Sequence, residues 1–133
     1  MASSMVLLSV LLGAFLCCQA QLGVPGGWQK KTVAGNDEFQ ELAHFAISRQ
    51  VQGKEFFDTV LEVTDAETQV IAGTNYRITF KTAESTCPVT QTYTKELCRP
   101  KTQTVKDTCT AVITVPLREE RFVSSYTCGA ASK

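Results

Sequence analysis

The chain has one histidine, no net charge, no N-glycosylation sequon and no apolar run long enough to cross a bilayer. Each shortage removes a class of function. Thirteen Lys and Arg balance thirteen Asp and Glu with His44 neutral. A nucleic acid or an anionic membrane surface is therefore not the expected main partner. The apolar run from Met5 to Leu16 is too short to span. Serine and cysteine hydrolases of the usual kind pair a nucleophile with a base such as His. The lone His44 has no obvious nucleophile partner and reads as a solvated or helix-capping residue. Glu119 and Glu120 are adjacent carboxylates, but Arg118 and Arg121 flank them. A solvated charged turn explains them better than acid–base catalysis. An enzyme is not expected, and neither a cofactor nor a metal is implied.

What the chain does have begins with a leader. Residues 1–20 read as a secretory signal, with Cys18 and Ala20 as small residues placed for cleavage before Gln21. The leader lacks a basic residue, so a retained membrane anchor is the competing reading. Residues 21–133 then form one small secreted, extracellular domain. Cys17 and Cys18 leave with the leader. Cys87, Cys98, Cys109 and Cys128 remain, and four cysteines in a small secreted domain imply two disulfides. Three connectivities are open. Sequential pairing would staple a long loop and the final hairpin, each bridge contributing about 2–4 kcal/mol. Structural zinc is the rival, but its ligands usually come as close Cys-x-x-Cys pairs.

Residues 21–35 are Gly-rich and read as a flexible arm, although Leu22 and Val24 are more apolar than a linker needs. Asn36 or Asp37 offers an N-cap. Phe39, Leu42, Ala43, Ala46 and Ile47 then recur at helical spacing, giving an amphipathic helix to about Gln52, with Gly53 as its stop. After that the period becomes two. Phe57, Leu61 and Val63 fall on one face of a strand, with Val60 on the wrong side. Tyr76, Ile78 and Phe80 alternate cleanly with Asn75, Arg77, Thr79 and Lys81. Residues 87–106 are irregular. Ala111, Ile113 and Val115 start a third strand, broken by Pro116. Phe122, Ser124, Tyr126 and Cys128 suggest a fourth. The class is α+β, with one long α-helix packed across a twisted antiparallel β-sheet.

Between the first two strands lies Gln69-Val70-Ile71-Ala72-Gly73. A hairpin tip is ordinarily polar, with Asn-Gly or Asp-Gly setting the turn. Here Val70, Ile71 and Ala72 face water, which is costly unless a partner covers them.

Leader, Gly-Gly arm, helix, Gln-x-Val-x-Gly-type loop, four late cysteines and a Pro-containing second hairpin occur here in one order. In this the chain resembles the secreted two-disulfide cystatins, inhibitors of papain-like cysteine proteases, over Gln21 to Lys133. Its small size and its Val24-Pro25-Gly26-Gly27 arm look most like cystatins secreted by ticks. The resemblance implies a cystatin-like fold and a three-part wedge. Val24, Pro25 and Gly26 would lie in the non-primed side of a cathepsin-like cleft. Gln69 to Gly73 would sit beside the catalytic cysteine, and Pro116 and Leu117 would cover the primed side. It implies a monomer, or a swapped dimer exchanging the helix and first strand through the loop.

Three departures stand out. Pro116-Leu117 replaces the family's Pro-Trp, a loss of about 0.5–1.5 kcal/mol beyond buried area. Gln52-Gly53-Lys54-Glu55 lacks the asparagine with which some members inhibit legumain. Ile71 replaces the central Val of the loop. Singly, the arm reads as a loose terminus, the loop as a tight turn and Pro116-Leu117 as a strand end. Together they favour an inhibitor over a non-inhibitory secreted binding module of the same fold, in which the arm glycine or the loop motif is typically eroded. Trp28 reads either as a packing residue or as an anchor beside the arm.

Overall fold

The computed structural model describes residues 26–130; the leader and the arm residues Val24 and Pro25 lie outside them. Among these residues the elements run β1 (Gln29–Lys31), α1 (Asp37–Ser48), β2 (Phe56–Val70), β3 (Gly73–Pro88), β4 (Asp107–Pro116) and β5 (Phe122–Ala130). The strands form one antiparallel sheet in the order β1-β2-β3-β4-β5. The helix packs across it, chiefly on β2. The class is α+β, as expected.

Asn36 caps the helix. Its backbone is extended, and its Oδ1 accepts the Glu38 N–H at 3.0 Å. Asp37 and Glu38 in the first turn suit the positive end of the helix dipole. Phe39, Leu42, Ala43, Ala46 and Ile47 are all buried, against Val63, Ala66, Ile78, Phe80, Ala111 and Ile113 from the sheet. Each large side chain so buried contributes about 1.5–3 kcal/mol.

The helix is shorter than the sequence suggests: it ends at Ser48, not near Gln52. The buried stripe stops at Ile47, and Val51, the next residue on that face, is exposed. The last turn tightens instead, with Arg49 and Gln50 N–H groups donating to Ala46 and Ile47 carbonyls at 3.1 Å. Gly53 serves a separate turn at φ +75°.

The imperfect alternation in β2 has a cause. Phe57, Val60, Val63 and Ala66 are the buried apolar positions, spaced by three. Register shifts lie between Phe56 and Asp58, Val60 and Glu62, and Val63 and Asp65. The last two each add one residue to β2 and flip the facing of the residues after it. Val60 therefore points inward and Leu61 does not, the reverse of the expected pair. β3 keeps to its pattern: Ile78 and Phe80 are fully buried, and the half-buried Tyr76 meets Phe39 edge-on at 6.3 Å between ring centres.

A fifth strand also emerges from the expected arm. In β1, Gln29, Lys30 and Lys31 pair with Thr68, Glu67 and Ala66. All three residues are exposed, so hydrophobic periodicity gives no sign of it. Lysines suit an edge strand, and Lys30 Nζ pairs with Asp65 at 2.9 Å.

The disulfides pair sequentially, Cys87 with Cys98 and Cys109 with Cys128. Cys109 and Cys128 face each other across β4 and β5. Cys87 and Cys98 are buried with Phe57 in a second small core, which Tyr93 covers. His44 is half-buried rather than freely solvated. Its Nδ1 lies 2.6 Å from Tyr93 Oη, which is 2.9 Å from Thr59 Oγ1. Burial lowers its pKa to about 4, and burial likewise pushes the Tyr93 phenol up to about 12.

Candidate functional site at the hairpin end of the sheet

Val70 pairs with Thr74, so the chain reverses over Ile71, Ala72 and Gly73. Ala72 takes φ +46°. The left-handed region costs an L-residue about 1–2 kcal/mol, and such strain gathers at functional sites. Gly73 takes φ +116°, and a Cβ there would stand 2.6 Å from the Val115 carbonyl oxygen and 3.1 Å from Pro116 Cα. The close approach of β3 to β4 at this point admits only glycine.

That approach builds the site. Gly73 pairs with Pro116 across the sheet, so the β2–β3 tip and the start of the β4–β5 turn lie side by side. Val70 is 69% exposed, Ile71 56% and Leu117 78%, and Ala72 is exposed with them. The edge is apolar, uncharged and open to water.

The arm joins it through Gly26, at φ +83°. A Cβ on Gly26 would lie 3.3 Å from Ile71 Cδ1. Gln69 Nε2 donates to the Gly26 carbonyl, and Gln69 Oε1 accepts from Asn75 Nδ2 at 2.9 Å. The structure thus brings Gly26, Gln69, Val70, Ile71, Ala72, Gly73, Pro116 and Leu117 to one end of the sheet. Val24 and Pro25 lie outside the described residues.

Trp28 packs beside the arm on the β3 side chain Arg77. The Arg77 guanidinium lies 4.1 Å from its ring centre, and Arg77 Nε donates to Glu67 Oε1 at 2.7 Å. Residue types alone place Asn75 and Arg77 on the polar face of β3 and go no further. The available signal was register: across a three-residue turn, Gln69 must oppose Asn75 and Glu67 must oppose Arg77.

No titratable side chain occurs from Gln69 to Asn75 or from Thr114 to Leu117. The edge can exclude water and fill a groove; it has no group to move a proton or form a covalent bond. The titratable cluster of His44, Tyr93 and Glu41 lies with the helix and the 87–98 loop, where Lys95 pairs with Glu41. Its neighbours Cys87 and Cys98 are joined and offer no thiol. Among the described residues, no group of three or more His, Cys, Asp or Glu is placed to hold a metal ion.

Known proteins share this architecture. Residues 28–117 match the cystatin domain. The chain is 46% identical to salivary cystatin-L2 of Ixodes scapularis, covering 98% of this chain and all of that protein. The crystal structure of mialostatin, a gut cystatin from the hard tick Ixodes ricinus, superposes with a TM-score of 0.76 at 42% identity, covering 80% of this chain and 100% of that one. That of a salivary cystatin from the soft tick Ornithodoros moubata gives 0.74 at 44% identity, covering 80% and 99%.

Proposed function

The chain belongs to the cystatin family, and on that footing we propose that it is a reversible, competitive inhibitor of papain-like cysteine proteases of the cathepsin L and S type. The observation that carries this reading is the uncharged apolar edge made by Gly26, Val70, Ile71, Ala72, Pro116 and Leu117 on a strained, tightly paired turn. Inserted in a protease cleft, Val70, Ile71 and Leu117 lose their contact with water, which is the favourable term. The turn is held before binding, so little freedom is lost on association. The wedge places no scissile bond at the catalytic thiolate, so no acyl-enzyme forms and the complex dissociates intact. Such an edge suits a narrow groove with apolar walls, and neither nucleic acid nor membrane is part of the mechanism.

The inhibitor is secreted after loss of residues 1–20. Two disulfides suit an oxidising compartment, and the relatives are salivary and gut cystatins. Among the described residues no helix is long and apolar enough to cross a membrane. The turn at Gln52-Gly53-Lys54-Glu55 carries no asparagine, so the chain does not inhibit legumain by that route.

The test is a tight-binding titration of papain and a cathepsin L-type enzyme. The protein is purified from the medium of cells expressing the full chain, with both disulfides verified. Activity falls in one-to-one proportion to added protein. No inhibition at micromolar protein would overturn the reading and leave a cystatin-fold binding module with a different partner.

A further inference from the structure

Two side chains on the face of β3 opposite the helix act on the arm without belonging to the wedge. Asn75 Nδ2 donates to Gln69 Oε1 at 2.9 Å, which leaves Gln69 Nε2 facing and donating to the Gly26 carbonyl. Arg77 is braced by Glu67 at 2.7 Å and lays its guanidinium over Trp28 at 4.1 Å. Asn75 opposes Gln69 and Arg77 opposes Glu67 in the ladder, so the sheet itself fixes both pairs. The arm is thereby gripped on each side of Gly27, at Gly26 and at Trp28, immediately before β1 begins pairing.

We infer that Asn75 and Arg77 are positioning residues that hold the Gly26–Trp28 stretch against the Gln69–Gly73 loop before a protease arrives. The inference rests on the proposed inhibitory function. An arm already on its bound path gives up less conformational freedom on association. The grip is polar and cation–π rather than apolar. Neither residue belongs to either buried core cluster, so the fold does not depend on it. A cation over an indole face at a partly exposed site is a modest interaction, and so is a single amide hydrogen bond. Their joint loss therefore weakens binding rather than abolishing it.

Trp28 is the sole tryptophan and reports on its own surroundings. The experiment compares the unaltered secreted protein with Asn75→Ala, Arg77→Ala, the double variant and Arg77→Lys. Lys81→Ala serves as the control: Lys81 is on the same face of β3 but far from the arm, 3.7 Å from Glu62. Acrylamide quenching of Trp28 is read in the free protein, and the papain Kd in the complex. The double variant opens Trp28 to quencher and raises Kd about three- to tenfold, with an unchanged urea midpoint. Arg77→Lys keeps a cation over the ring and recovers part of the affinity, and Lys81→Ala changes neither readout. An unchanged Kd or unchanged quenching in the double variant, while the unaltered protein still titrates papain, overturns the inference and leaves the inhibitory reading standing. Failure of the unaltered protein to titrate papain overturns both.

Discussion

The two ends of the β2–β3 ladder solve opposite problems. At one end Phe57, Cys87 and Cys98 are buried, and polar groups are brought inside and satisfied. The carboxylate of Asp58, itself buried, meets Lys54 at 2.7 Å and Lys106 at 2.9 Å. His44, Tyr93 and Thr59 share a hydrogen-bonded chain. At the other end apolar side chains are put outside and the backbone is strained at Ala72. Stability is thus concentrated away from the edge that the proposed function turns toward a partner. The edge residues are then free to suit a partner, because the fold does not need them buried.

Four substitutions would break or sharpen that contrast. Phe57→Ala, at the buried end, should cost about 3–5 kcal/mol in urea denaturation, while inhibition per folded molecule stays unchanged. A fall in stability below about 1 kcal/mol would show that the second core contributes little. Gly73→Ala should cost about 1–3 kcal/mol, because its Cβ meets the Val115 carbonyl at 2.6 Å. Unlike Phe57→Ala, it should also raise the papain Kd at least about tenfold, a change of about 1.4 kcal/mol, as the tip and Pro116 part. Leu117→Trp should tighten binding by about 0.5–1.5 kcal/mol and leave the melting temperature alone, since Leu117 is 78% exposed. Equal affinity in the two proteins would show that this position does not touch the enzyme.

The smallest effect concerns acid. Burial lowers His44 from its ordinary 6.5 to about 4. Between those values the unfolded chain holds this proton and the fold does not, so stability rises with pH there. The contribution is complete above pH 6.5 and is lost as pH falls toward 4. His44→Gln should remove that slope, worth up to about 1 kcal/mol for a ring partly screened by solvent. Melting curves across pH 4–7 check it; an unaltered slope would mean that other groups set the acid response.

The helix face was legible because Phe39, Leu42, Ala43, Ala46 and Ile47 carry both the periodicity and the burial. So was β3, where Tyr76, Ile78 and Phe80 alternate without interruption. β2 was not, because bulges are set by what the strand packs on, and they exchange the roles of Val60 and Leu61. β1 was invisible because three polar residues become a strand only when an edge is there to pair with. The tip of the site could be read from apolar residues where a turn needs polar ones. The grip of Asn75 and Arg77 on the arm could not, since it depends on register and not on residue type.

The central claim is that the apolar end, and not the buried end, meets the protease. Hydrogen–deuterium exchange of the papain complex against the free inhibitor tests it directly. The account predicts slowed exchange at residues 69–74 and 115–118, with residues 93–98 unchanged. Protection at 93–98 with the tip unaffected would contradict it.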